Sequence, residues 1–203
     1  MSDDFLRLVA GRPGHFRLES GHHSRLWLDL DTLFVDPVRV RPFVNKLAVL
    51  LRSYDVDAVC GPLVGGALLA QTVAAALDLH FFFTARVLPP ERTGLYQVQY
   101  VLPRTLRRPA DGNRFAIVDD VISAGSAVRG TCLELEAHGA QPVVIGALLR
   151  LGDAATPFFA EKGMPVESVL QLPYDLWLPE KCPLCASQTP LEDVTAAVNE
   201  AEA

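Results

Sequence analysis

The sequence predicts an α/β domain: a mostly parallel sheet flanked by helices, with a small hood from the two ends of the chain. Three observations carry this. Short β-like apolar runs alternate with helical stretches between residues 38 and 172. Half of the 203 residues are hydrophobic and 21% are charged, enough to bury a sizeable core and too apolar for a disordered chain. One strand-like run passes through a turn of small residues straight into a helix, the layout of a ligand-binding βα unit.

In chain order, residues 1–37 form an N-terminal hood segment, with FRLESG and LWLDLD as edge strands. Asp36-Pro37, a capping acid and a first-turn proline, predicts a helix over 38–52. VDAVC (56–60) is the first core strand, and the alanine- and leucine-rich stretch 66–77 the helix after it. HFFFT (80–84) is a buried strand. The polar stretch 86–109 follows, its second half alternating like an antiparallel ribbon. RFAIV (114–118) is a strand, and 126–138 a helix with Val128, Cys132 and Leu135 on one face, ending at Gly139. VVIGALL (143–149), a short helix over 154–162 and SVLQL (168–172) complete a core spanning 38–172. Residues 173–203 form a tail with four prolines, a C-x-x-C and an acidic final helix.

Charge and targeting signals narrow the function. Fifteen Arg and three Lys oppose 24 acids, a net charge of −6, and no basic run exceeds a pair. Nucleic acid is therefore not an expected partner. The uncharged stretch 58–77 is broken by Gly61, Pro62, Gly65 and Gly66, which leaves too few residues to span a membrane. The N-terminal residues carry two acids and no apolar signal core. Four cysteines, two of them inside apolar runs, suggest no disulfide framework. A soluble, cytoplasmic chain is expected.

The chemistry concentrates in RFAIVDDVISAGSAVRGT (114–131). Asp119 and Asp120 end a strand, and ligands of open α/β sheets bind beyond the carboxyl ends of strands. Ser123-Ala124-Gly125-Ser126 then offers backbone N–H groups, two hydroxyls and a helix N-terminus, a cradle for an anion. Paired acids beside such a cradle suit a ribose phosphate. The bland alternative is a capped helix after an ordinary βα turn.

This segment resembles the phosphoribosyl-diphosphate (PRPP) motif of type I phosphoribosyltransferases. FRLESGHHSRLWLD is similar to the N-terminal motif of orotate phosphoribosyltransferases, and CGPLVGGALLAQTVAAAL to that family's pyrophosphate loop and following helix. The resemblance covers about residues 14–152 and implies the type I phosphoribosyltransferase fold. It implies that Asp119 and Asp120 bind the ribose hydroxyls and that Ser123, Ala124, Gly125 and Ser126 hold the 5-phosphate. Pro62, Leu63, Val64 and Gly65 would then face pyrophosphate; Trp27, Leu28, Ser123 and Arg150 would face the base. It further implies Mg²⁺ carried with PRPP, a homodimer and a place in pyrimidine biosynthesis.

Two positions depart from the family pattern. Glu19 stands where the family has a lysine before Ser-Gly, and RVLPPERTG replaces a catalytic loop rich in lysine and histidine. Arg86 and Arg92 are the local cations left to face pyrophosphate, and Glu19 is expected to repel anionic substrates. Three readings follow: an orotate-type transferase, a transferase for another base, and a non-catalytic PRPP- or nucleotide-binding regulator.

Other features read more blandly. Cys182-Pro183-Leu184-Cys185 is half a zinc knuckle without a second pair, best read as a tight turn in a docked tail, with zinc as the alternative. His22-His23 reads as a solvated hairpin turn or a substrate contact; His15 and His138 read as cap and surface residues.

Overall fold

Two N-terminal strands, β1 (Ala10–Arg17) and β2 (His23–Asp29), precede the first long helix, α1 (Pro37–Leu51). Asp36 caps that helix, its carboxylate accepting from the amides of Val38 and Arg39 at 3.1 and 3.2 Å. The computed structural model describes residues 5, 7–30, 32–88 and 94–194. The core continues with β3 (Ala58–Pro62), α2 (Gly65–Leu77), β4 (His80–Val87), β5 (Gln99–Val101) and α3 (Arg104–Ala110). It closes with β6 (Arg114–Ile122), α4 (Ser126–Ala137), β7 (Gln141–Leu151), α5 (Thr156–Glu161) and β8 (Val166–Leu172).

Six strands lie in the order β5-β4-β3-β6-β7-β8, parallel except for β5, which runs antiparallel to β4 at the edge. The alternation along β6 explains the two-faced core. Ala116 and Val118 join Leu47, Val59, Leu69 and Val73 beneath α1 and α2. Phe115 and Ile117 point the other way, into a cluster with Phe82, Val128, Leu135 and Phe159. Because both faces are covered, all five residues of β3 are buried.

From β3 the chain steps outward to β4, and from β6 outward to β7 in the opposite direction. The loops leaving β3 and β6 therefore diverge, and a crevice opens between them at the carboxyl edge of the sheet.

The hood is a separate three-stranded sheet, β2-β1-β9, in which β9 (Glu192–Asp193) comes from the tail and pairs parallel with β1. Its core is small: Phe16, Leu18 and Val194, flanked by Trp27, Tyr174 and Leu176. Between β8 and β9 lie a 3₁₀ turn (Pro179–Lys181) and one short helix, α6 (Pro183–Ala186).

Several boundaries differ from the sequence reading. β6 continues through Asp119 and Asp120 to Ile122, because β7 pairs with it as far as Arg150. Only the first two residues of FRLESG are strand: Leu18–Gly21 is a turn, with Gly21 at φ 83° and its amide bonded to the Leu18 carbonyl. α3 has no counterpart in the reading, since it is short, holds Pro109 and buries only Ala110. At the expected acidic final helix, Glu192–Asp193 is a strand, and residues 195–203 lie outside the described residues. Among the described residues, no helix is long and apolar enough to cross a membrane.

Candidate active site

At the crevice, α2 begins against the acid pair. A side chain at Gly65 would collide with the Asp120 carboxylate, and one at Gly66 would come within 2.7 Å of Asp119 Oδ1. Glycine at both positions lets the loop Pro62–Gly65 lie directly on the two acids, as close backbone approach requires. The Leu63–Val64 peptide in this loop is cis.

Asp119 and Asp120 are both largely buried. Asp119 Oδ1 accepts from the Asp120 amide at 3.1 Å, and Asp120 Oδ1 from the Val121 amide at 2.7 Å. Burial, then the neighbouring Asp120 charge, hold the Asp119 carboxyl well above the usual range, and Glu19 adds to the effect. Such a pair has more negative charge than its surroundings stabilise, so hydroxyl donors or a cation are its natural complement.

Beyond the acids the chain turns through Ser123–Gly125, with Gly125 at φ 77°, and α4 starts at Ser126. The Ser126 Oγ is buried and has no hydrogen-bond partner among the described residues. A hydroxyl at a helix N-terminus, where the first-turn amides also point outward, is chemically suited to an anion.

Arg86 reaches the same edge from the end of β4. Its Nε lies 3.3 Å from Glu19 Oε2 without hydrogen-bond geometry, and buried Nε and Nη2 lack hydrogen-bond partners among the described residues. Tyr100 donates to Glu19 Oε1 at 2.7 Å. Glu19 is thus held between a phenol and a guanidinium, which offsets the repulsion of anions expected from the sequence.

The chain matches the phosphoribosyl transferase domain family over residues 44–158. It belongs to that family. The phosphoribosyltransferase is 33% identical over 182 residues to an orotate phosphoribosyltransferase of Thermotoga petrophila, covering 88% of each chain. A Thermus thermophilus protein of the same name is 33% identical over 181 residues, 89% of this chain and 92% of the other. Among solved structures, the orotate phosphoribosyltransferase of Aeropyrum pernix superposes with TM-score 0.58 at 25% identity, covering 80% of this chain and 88% of the other. An adenine phosphoribosyltransferase of Trypanosoma brucei gives TM-score 0.65 at 15% identity, over 84% and 78%, which shows the shared fold alone.

The residues anticipated for the base are less tightly gathered in this phosphoribosyltransferase. Trp27 packs into the hood core and Leu28 against the main core, so the two face opposite sides of β2 and cannot both stack on one base. Arg150, beside Ile122 in the register of β6 and β7, donates from Nη1 to Thr156 at 3.2 Å and from Nη2 to Gln171 at 2.5 Å. Asp153 lies 3.5 Å from it, while its buried Nε lacks a hydrogen-bond partner among the described residues. Arg92 lies outside the described residues.

The sequence reading overlooked a cavity of about 340 Å³ beside the start of α4. Tyr96, Tyr100, Ser126, Arg129 and Phe158 line it. The Arg129 guanidinium lies 3.9 Å from the Tyr96 ring centre and 4.2 Å from that of Phe158. Arg129 stands one helical turn from Ser126 and lines the same cavity, signalled in the sequence only by that spacing. His22, buried rather than solvated, faces Tyr96 with ring centres 5.7 Å apart. Burial, then the nearby Arg129, hold its ring below the usual value. His23 is also buried and lies with His15 beside Cys182 and Cys185, away from the predicted solvated turn.

Proposed function

We propose that this phosphoribosyltransferase transfers the phosphoribosyl group of PRPP to a ring nitrogen of a pyrimidine-type base, orotate, and releases pyrophosphate. The observation that carries the reading is the buried Asp119–Asp120 pair, flanked at one crevice by the glycine loop and by the bare Ser126 hydroxyl. Orotate as acceptor rests on the names of the relatives at 33% identity.

In this reading the two aspartates accept hydrogen bonds from the vicinal ribose hydroxyls. Ser126 and the amides of the turn from Ser123 through Ala124 and Gly125 bind the 5-phosphate, and fix the sugar in one orientation. The bond from the anomeric carbon to pyrophosphate breaks as the base nitrogen bonds to that carbon, and the proton of that nitrogen passes to water or to the released pyrophosphate. Negative charge grows on the departing oxygen, where Arg86 and the amides of Val64 and Gly65 would stabilise it, with Arg92 as the second cation that the sequence supplies. Arginine does so without donating a proton, since it stays charged throughout. Arg150 offers its bare Nε to the acceptor's carboxylate.

The hard oxygen donors of the buried acid pair fit Mg²⁺ carried in with PRPP. That ion would supply charge neutralisation on the pyrophosphate. We further propose a cytoplasmic homodimer acting in pyrimidine biosynthesis.

Pyrophosphate release, measured with PRPP, Mg²⁺ and a panel of bases, tests the reading. Turnover with orotate and not with purines is expected. Turnover with a different base would move the acceptor assignment. Tight PRPP binding with no turnover on any base would overturn the enzyme reading in favour of a PRPP-binding regulator, which the lysine-free loop favours.

A further inference from the structure

The hood and the tail meet at four side chains that the transfer reaction does not use. His15 Nε2 lies 3.2 Å from His23 Nδ1 and 3.4 Å from Cys182 Sγ. Cys185 Sγ lies 3.3 Å from His23 Nδ1 and 3.8 Å from His15 Nε2. All four ligand atoms fall within 4.8 Å of one another. A tetrahedral zinc with two nitrogen and two sulfur ligands, at its usual bond lengths, separates nitrogen from nitrogen by about 3.3 Å and nitrogen from sulfur by about 3.6 Å. The four distances above lie within about 0.3 Å of those edges. We propose that His15, His23, Cys182 and Cys185 form a structural zinc site that fastens the C-terminal tail to the N-terminal hairpin.

The surroundings fit a closed structural site. His15, His23 and Cys182 are buried, with Cys185 at the rim. His15 Nδ1 is 2.9 Å from the Thr189 carbonyl, so it carries the proton and leaves the Nε2 lone pair turned toward the cluster. β1 carries a bulge here: Gly14 and His15 stand opposite Arg25 alone, between the pairs Pro13–Leu26 and Phe16–Ser24. Such an extra residue re-aims a side chain, which brings His15 onto the side occupied by His23. The C-x-x-C spacing places both sulfurs at the start of α6.

The fold also needs a fastener at this place. β9 gives β1 only two paired residues, and the hood core has three buried side chains. The other links between hood and tail include the bidentate Arg12–Glu192 pair and the largely exposed Arg25–Asp175 pair, of which the second contributes little. Small units of this kind are usually held by a metal or a disulfide. The hairpin so anchored carries Glu19, Ser20 and His22 in its turn, so the metal would hold one wall of the active site.

The test is elemental analysis of the full chain, purified with reduced thiols and dialysed after zinc loading, with cobalt as a spectroscopic probe. One zinc per chain is expected, and cobalt should give the intense visible bands of a tetrahedral ion with thiolate-to-metal charge transfer. Cys185→Ser and His15→Asn should each lose the metal, while His80→Asn, at an exposed histidine elsewhere, should retain it. If the variants fail to fold, the cobalt spectrum of the unaltered chain still decides. Less zinc than one per chain with no thiolate charge-transfer band, or a Cys182–Cys185 disulfide formed in place of metal binding, would overturn the proposal. Either failure leaves the pyrophosphate-release result untouched.

Discussion

Tyr100 donates its phenolic proton to Glu19 across 2.7 Å, and so holds that carboxylate beside the Arg86 guanidinium. Burial, with Glu19 adding its charge, pushes the Tyr100 phenol far above its usual value, so it is a permanent donor. Hydrogen bonds to charged groups contribute about 1.5–3 kcal/mol, so Tyr100→Phe should lower unfolding free energy by about that amount in urea melts. Arg86→Ala should be worse for catalysis than for folding. It leaves Glu19 without its cation and pyrophosphate without its guanidinium, and kcat should fall about a hundredfold. An unchanged kcat would place Arg86 outside the reaction.

Ser126→Ala separates binding from stability. The buried Oγ lacks a hydrogen-bond partner among the described residues, so its removal should change unfolding free energy by less than about 1 kcal/mol. Affinity for PRPP should nevertheless fall about tenfold, the worth of one charge-assisted hydrogen bond. Equal affinity in calorimetry would show that the phosphate does not reach the turn.

Gly65→Ala tests the close approach of loop and acids. The new methyl meets the Asp120 carboxylate, which must move. Overpacking of this kind costs about 1–3 kcal/mol in stability. Displacing a substrate-positioning carboxylate by about an ångström should lower kcat/KM for PRPP about a hundredfold. A fully active variant would mean that the loop and the acid pair lie farther apart in solution.

The pH dependence of stability follows from Asp119. Burial and the Asp120 charge raise this carboxyl above its unfolded value of about 3.9. A raised acid supports the fold while protonated. Stability is lost as pH climbs from the unfolded value through the raised one, and the loss is complete above it. Asp119→Asn should therefore melt at a higher temperature than the unaltered protein at neutral pH, with the difference closing as pH falls into the carboxylate range. A gain that grows on acidification would contradict the assignment.

The parts of this protein that are local in sequence were legible in it. Asp119 through Ser126 are contiguous, so the strand, acid pair and turn could be recognised together, and Asp36-Pro37 marked α1. What was missed depends on long-range pairing. Glu19 looked repulsive because Tyr100 and Arg86, its partners, are distant in the chain. His15 and His23 looked unrelated to Cys182 and Cys185 because a bulge and a two-residue strand bring them together. Trp27 and Leu28 were both expected to face the base, yet strand alternation sends them to opposite faces.

The central claim is that the crevice between β3 and β6 binds PRPP through its paired acids. Calorimetric titration of PRPP with Mg²⁺ into the unaltered protein and into the Asp119→Asn/Asp120→Asn double variant tests it most directly. Losing two hydrogen bonds from charged acceptors should cost at least about 3 kcal/mol, more than a hundredfold in affinity. Equal affinity in a folded double variant would contradict the account.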